Sequence, residues 1–215
     1  MDIQIRREQP ADYREAERVT REAFWNYYSP GCTEHYLLHI MRDSPCFIPE
    51  LDFVAVTEGK IIGSVIFMKS FILGDDGHRH EVLSLGPIAV LPAFQRQGVG
   101  RKLIEHARAA AQEAGYRAIL LCGDPAYYSK NGFTAAEQFG IRTSDNKYFV
   151  ALQACPLYTD ALKGVAGRYF EDEIYQVDEA AAMAFDAGFP PKERRSDTPT
   201  QRRFEKIAAM QRDYK

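Results

Sequence analysis

Apolar and polar residues alternate with a period of two around Ile3 and Ile5, as in a short strand, and the spacing then changes. Pro10 and Asp12 open a stretch in which Ala16, Val19, Ala23 and Phe24 recur at helical spacing, with Asp12 as the expected N-cap. Ser29-Pro30-Gly31 reads as a loop and Glu34–Met41 as a second short helix, and Pro45 and Pro49 bound the irregular piece after it. Two β-rich runs follow, Phe53–Val56 and Ile61–Phe71, joined as a hairpin through Glu58-Gly59. The second run is long enough for a central strand, and Gly74-Asp75-Asp76-Gly77 turns it back into a strand over Glu81–Val90.

The strongest helical pattern runs from Gly98 to Ala114. Leu103, Ala107, Ala110, Ala111 and Ala114 share one face there, and Gly115 stands at the stop. Ala118–Cys122 is a short apolar strand, Tyr127–Asn131 a brief helix ended by Gly132, and strand-like segments lie at Tyr148–Leu152 and around Arg168–Val177. After a linker at Pro190–Arg195, Thr198-Pro199-Thr200-Gln201 fits a capping box. The helix it opens has a thin apolar stripe of Phe204, Ile207 and Ala208, as expected of an appendage docked on the domain or on a second subunit, so a homodimer stays open. The order β, α, α, β, β, β, α, β, α, β, β mixes hairpins with one helical crossover and predicts an α/β (α+β) domain. Residues 1–160 are expected as the domain and 161–215 as a C-terminal extension.

Composition narrows the function classes. The chain has 215 residues, 46% hydrophobic and 27% charged, an ordinary globular balance. Its formal net charge of -3 gives no global electrostatic case for nucleic acid or a membrane surface. No apolar stretch is long enough to span a bilayer, and the N-terminus lacks the apolar core of a signal peptide. Cys32, Cys46, Cys122 and Cys155 are scattered without metal-like spacing, which predicts no metal site and a reducing, cytoplasmic setting. Cys122, inside an apolar run, is expected to be a buried thiol.

The informative stretch is Ser84–Phe133. Gly86-Pro87 interrupts an apolar strand, because glycine weakens a strand and proline cannot donate to its ladder. A strand leading so directly into a crossover helix is not expected at an edge, so a bulge is predicted, with backbone groups left for another partner. Gln95-Arg96-Gln97-Gly98-Val99-Gly100-Arg101-Lys102 then opens the long helix. Glycines allow close backbone approach, and free N–H groups at a helix start attract anions. The cations Arg96, Arg101 and Lys102 oppose the helix dipole by a few tenths of a kcal/mol each, a sign that a bound polyphosphate would reverse. Solvated surface charges are the alternative reading. Walker and dinucleotide loops both fail: Arg101-Lys102-Leu103 follows the second glycine where Lys-Ser/Thr would be needed, and Leu103 stands where a third glycine would.

Gln95-x-x-Gly98-x-Gly100 resembles the acetyl-CoA pyrophosphate loop of the GCN5-related N-acetyltransferase (GNAT) superfamily. Tyr128-Ser129-Lys130-Asn131-Gly132-Phe133 resembles its Tyr-x-x-x-Gly-Phe element. The similarity spans about residues 1–152 and is nearest to the YhbS-like branch; Asp124 departs from it, where many members have Asn. The resemblance implies a mixed, splayed sheet flanked by helices and acetyl-CoA as co-substrate. It also implies an amine acceptor, either a small molecule or a protein. The backbone of Ile88, Ala89 and Val90 would pair with the pantetheine arm, and one of their N–H groups would polarise the thioester carbonyl. Backbone N–H groups from Gln95 through Arg96, Gln97, Gly98 and Val99 to Gly100, with Arg101, would cradle the pyrophosphate. Tyr128 would assist the departing thiolate.

No motif marks the base that deprotonates the amine. Glu34, Glu81 and His80 are candidates, with an ordered water chain as the alternative. The run Phe24-Trp25-Asn26-Tyr27-Tyr28 could hold an ammonium by cation–π contact or serve as packing. A non-catalytic acyl-CoA sensor of the same fold and an enzyme for longer acyl groups are the rival functions.

Overall fold

The computed structural model describes residues 2–214. Its elements are β1 (Gln4–Arg7), α1 (Tyr13–Phe24), α2 (Glu34–Met41), β2 (Phe53–Thr57), β3 (Lys60–Gly74), β4 (Arg79–Val90), α3 (Val99–Glu113), β5 (Ala118–Cys122) and α4 (Pro125–Tyr128). Then come β6 (Thr134–Ala135), β7 (Ile141–Arg142), β8 (Lys147–Phe149), β9 (Leu152–Pro156), β10 (Gly167–Phe170), α5 (Glu179–Asp186), α6 (Pro199–Ala208) and β11 (Gln211–Asp213). The main sheet runs β1-β2-β3-β4-β5-β9-β6, with β10 on the far end of β3 and β7 beside it. All its pairs are antiparallel except β4 with β5 and β7 with β10.

The long run of β3 is apolar at nearly every position because the sheet is covered on both faces. Ile62, Val65 and Phe67 face α3 and pack with Leu83, Leu103, Ile104 and Ala107. Ile66 and Met68, of opposite parity to Val65 and Phe67, meet Ala16 and Val19 of α1 and Leu38 and Met41 of α2, and Ile62 keeps the α3 face because the β2/β3 register shifts beside it. A third cluster, Val82, Leu120, Leu152, Leu162, Val165 and Tyr169, lies under the chain between residues 136 and 165. Glu58 and Gly59 both have positive φ, 49° and 74°, as a two-residue hairpin turn of the favoured twist requires.

Several expectations change. Asp12 stands at the N-cap position of α1 as expected but makes no side-chain capping bond: its carboxylate takes the Gln9 N–H at 2.8 Å and the Arg6 guanidinium, fixing the turn before the helix. The segment expected as one strand at Tyr148–Leu152 is divided between β8 and β9, with Val150 turning out to accept Gln153. Only Gly167–Phe170 of the strand expected up to Val177 is extended; Glu173–Tyr175 is a helical turn capped by Asp172, whose side chain accepts Ile174 N–H at 2.9 Å. Within the segment expected as an extension, β10 joins the same sheet by pairing Gly167–Phe170 with Gly74–Phe71.

Candidate active site

The site begins where two neighbouring strands part. β4 and β5 pair only at Leu83/Ile119 and Ser84/Leu120, and β4 then runs on to Val90 without that neighbour. The separation starts at Gly86-Pro87. Between the pairs Val65/Ile88 and Phe67/Leu85, β3 advances two residues and β4 three, so the extra residue of a bulge sits there as expected. Glycine is required at this point, since a Cβ on Gly86 would come within 2.7 Å of the Ile66 side chain.

Beyond the bulge, strand alternation decides which backbone groups are free. Leu91 N–H donates to Ile62 O at 2.9 Å, so Leu91 and Ala89 direct their peptide groups toward β3, while Ile88 and Val90 direct theirs into the gap. Of the three residues expected to meet a ligand through the backbone, two present it there and Ala89 does not. The Gln95 amide donates to Val90 O at 2.9 Å, occupying one group of that edge.

α3 starts beside this edge. Gly98 is its N-cap with φ 85°, a conformation that strains any side chain, and Arg96 is held at φ 60°. The first N–H groups of α3 have no intrahelical acceptor. A Cβ on Gly98 would meet nothing within 4 Å, whereas one on Gly100 would lie 2.6 Å from the Tyr127 hydroxyl. Gln97 secures the loop by donating to Ala93 O at 2.8 Å, and Arg101 lies exposed with its Nε 2.6 Å from Glu105.

A cavity of about 340 Å³ joins these parts, walled by Ile88, Val90, Gln95, Arg96 and Gly100 on one side and by Tyr127 and Tyr128 on another. Phe24, the last residue of α1, and Tyr27 and Tyr28 of the loop after it complete it. Tyr128 sits with its ring 5.5 Å from Phe133 and 5.0 Å from Tyr127. Burial, and then the neighbouring tyrosines, push its hydroxyl well above the usual phenol range. The hydroxyl therefore stays protonated at neutral pH and can donate a hydrogen bond.

The other expected residues divide. Glu34 takes the Thr33 N–H at 3.0 Å, and burial raises its carboxyl; it stands near enough to Tyr28 to act on that phenol. Glu81 is exposed at the start of β4, opposite Phe71, on the face that carries Leu83 and Tyr116; it is not among the cavity walls. His80 lies 3.7 Å from Asp76 and is likewise absent from the walls. Within the aromatic run, Trp25 already holds the Arg21 guanidinium at 4.2 Å, so its ring serves an internal cation. Cys122 is exposed at the end of β5 instead of buried, because the strand stops where the gap opens.

Two further structural features left weak traces in the sequence. The first is Asn26, held at φ 59° as the centre of a hydrogen-bond hub. Its side chain accepts Gly31 N–H (2.9 Å) and Arg195 N–H (3.0 Å) and donates to Glu193 O (3.0 Å), and its carbonyl accepts Thr198 Oγ1 and Gln201 Nε2, both at 3.2 Å. This ties the loop bearing Tyr27 and Tyr28 to α6, whose expected capping box is present and whose Phe204 ring stands 4.7 Å from Tyr28. Asp124 caps α4 by accepting Ala126 N–H at 2.9 Å, and Arg203 of α6 pairs with the same carboxylate. The second is α5, whose Asp186 binds Arg21 at 2.5 Å. Asp178 before an alanine-rich run was a legible signal for it, and that side chain accepts Ala180 and Ala181 N–H.

The profile of the acetyltransferase (GNAT) domain matches residues 50–135. The uncharacterized N-acetyltransferase YhbS of Escherichia coli K12 is 32% identical over 164 residues, covering 76% of this chain and 92% of the relative. The crystal structure of YhbS from Escherichia coli in complex with CoA superposes with a TM-score of 0.72 at 29% identity, covering 81% of this chain and 92% of that one. A GNAT family acetyltransferase from Brucella melitensis in complex with acetyl-CoA gives 0.64 at 27% identity, covering 81% and 98%. Among the described residues no helix is long and apolar enough to cross a membrane.

Proposed function

Since the chain belongs to the GNAT family of N-acetyltransferases, we propose that it moves an acetyl group from acetyl-CoA directly to an amine, without an acyl-enzyme stage. The observation that carries this reading is the free edge of β4 at Ile88 and Val90, lying beside the N-terminus of α3 in one cavity. An extended pantetheine arm has peptide groups that can pair with such an edge, and a pyrophosphate suits the unpartnered N–H groups and the cation at Arg96. The structural neighbours bound to CoA and acetyl-CoA support the same cofactor for this chain.

In this reading Gln95 to Gly100 bind the pyrophosphate through the backbone, with Gly98 and Gly100 leaving room for it. Arg101 adds charge after releasing Glu105. The N–H of Ile88 or Val90 polarises the thioester carbonyl and receives the charge that builds on its oxygen. Tyr128 donates to the departing sulfur. A phenol near pKa ~10 already outlasts a thiol near ~8.5, and burial widens that difference, so the hydroxyl stabilises the thiolate first and proton transfer follows. Glu34 and Glu81, expected as bases for the amine, are not among the cavity walls, and no step passes through them.

The test combines calorimetry of acetyl-CoA binding with CoA thiol release over a panel of amines. Tight binding with release that rises on adding an amine is the expected result. Tight binding with no release above background for any amine would favour the sensor reading.

A further inference from the structure

On the opposite side of the strand gap lies a second cleft, of about 480 Å³, whose walls include Cys122, Tyr169, Glu171, Asp172, Glu173 and Tyr175. We propose that this cleft receives the acceptor as a small polycationic amine, with Glu171 holding the reacting ammonium and taking its proton. The inference rests on the acetyl-transfer reading above and names the substrate class of the same site.

Position is the first argument. Cys122 is the last residue of β5, and Tyr175 donates its hydroxyl to Ser84 Oγ at 2.9 Å; Ser84 is the last β4 residue still paired with β5. The cleft therefore opens at the point of separation. Gly123 follows Cys122, and a Cβ there would collide with the Tyr128 ring, so only a short stretch of backbone divides this cleft from the tyrosine proposed to meet the sulfur.

Chemistry is the second. Three consecutive carboxylates line the cleft, and among the described residues no Lys or Arg does. Arg79 and Arg168 are held against Phe71 and Phe170, 4.4 and 5.4 Å from the ring centroids, and Arg168 also donates to Ser144 O at 3.4 Å. Those two rings stack at 5.2 Å, and both also line the cleft. Both rings already serve these internal cations, so the three carboxylates are what suit the cavity to a compact cation with several charges.

The third argument is an unmet polar group. Tyr169 is 4% exposed, and its hydroxyl, at the cleft wall, has no hydrogen-bond partner. It lies near enough to Glu171 to favour the ionised carboxylate but does not reach bonding geometry with it. An ammonium between the two would satisfy both. Asp172 is less available, since it already accepts Ser44 Oγ and Ile174 N–H. Tyr169, Tyr175 and Cys122 face Glu171 and stay protonated at physiological pH, the carboxylates Asp172 and Glu173 share its cleft, and burial raises the Glu171 carboxyl. A raised carboxylate is a better proton acceptor near neutrality.

The step balances. The ammonium gives one proton to Glu171, and the resulting amine forms its C–N bond to the acetyl carbon as the C–S bond breaks. A second nitrogen proton replaces the one that Tyr128 passes to sulfur, leaving the amide, the CoA thiol and one proton that Glu171 releases to water.

Spermidine is the probe. Titrated calorimetrically into CoA-saturated protein it should bind, and Glu171→Gln should weaken that binding by about 10–100-fold while acetyl-CoA affinity stays within about twofold. In turnover with acetyl-CoA, spermidine should exceed the zwitterion β-alanine by ~10-fold or more. The wild-type rate should fall as pH drops through the raised Glu171 pKa, a limb that Glu171→Gln lacks. Glu171→Asp, which restores charge, should recover part of the binding, and it carries the test if the glutamine variant does not fold. Absence of spermidine binding to the CoA-saturated wild type would overturn the proposal, as would equal binding by Glu171→Gln. Spermidine binding without thiol release would instead overturn the transfer reading and leave the cleft's ligand standing.

Discussion

The two clefts flanking the strand gap are built from different materials. The first is made largely of backbone: the free edge at Ile88 and Val90, the left-handed Gly98, and the unpartnered N–H groups at the start of α3. The second is made of side chains, Glu171, Tyr169 and Tyr175, brought in by β10 and the turn after it. A backbone site demands particular residues at fixed spacing, because only glycine allows certain torsions and approaches. A side-chain site can be assembled from any segment that reaches it. The first therefore writes a motif and the second does not.

That contrast can be broken at the backbone cleft. Gly98→Val forces a β-branched residue into φ 85° and turns the first N–H groups of α3 away. Losing two hydrogen bonds to a charged ligand predicts a drop of ~10²-fold or more in acetyl-CoA affinity by calorimetry, with the far-UV spectrum retained. An unchanged affinity in the folded variant would show that the loop does not hold the cofactor.

Tyr128→Phe sharpens it next, by removing a hydroxyl and leaving the ring in place against Phe133 and Tyr127. Turnover at saturating acceptor should fall by ~10²-fold, with acetyl-CoA affinity nearly unchanged. Tyr127→Phe is the control and should be nearly silent. If the two variants exchange behaviour, the neighbouring tyrosine assists the sulfur; if both stay active, water does.

The smallest expected effect concerns the wall shared by the cavity and the C-terminal segment. Asn26→Gly keeps the left-handed turn and removes the three side-chain bonds to Gly31, Arg195 and Glu193. The expected loss is about 1–3 kcal/mol of stability in denaturant unfolding, with acetyl-CoA affinity falling by less than tenfold. A loss below ~0.5 kcal/mol would mean that the α6 contacts hold the loop without it.

What could be read beforehand follows the same division. The bulge at Gly86-Pro87, the start of α3 and the Tyr128 element each depend on glycine or proline chemistry, and each was legible. The capping box of α6 was legible for a similar reason, since it is local hydrogen bonding at fixed offsets. Glu171 was not, because its significance comes from a register, Gly167–Phe170 on Gly74–Phe71, that joins segments about a hundred residues apart. Glu81 shows the converse error: it stands on the correct strand, but on the face directed toward Tyr116 and outside the walls of the cavity. Cys122 misled for a third reason, as an apolar run says nothing about where the neighbouring strand has already departed.

The Asn26 hub also has a meaning in time. Its bonds to Thr198 and Gln201 join residues 172 and 175 positions apart, so a chain growing from its N-terminus exposes this loop long before its partners exist. At ordinary synthesis rates the interval is on the order of 10–30 s. During it, the sheet, its bulge and α3 can form from residues already made, whereas Tyr27 and Tyr28 lack the segment that fixes them. The cofactor pocket would thus close only late in translation, and a nascent chain would acquire its fold before its capacity to acetylate anything nearby.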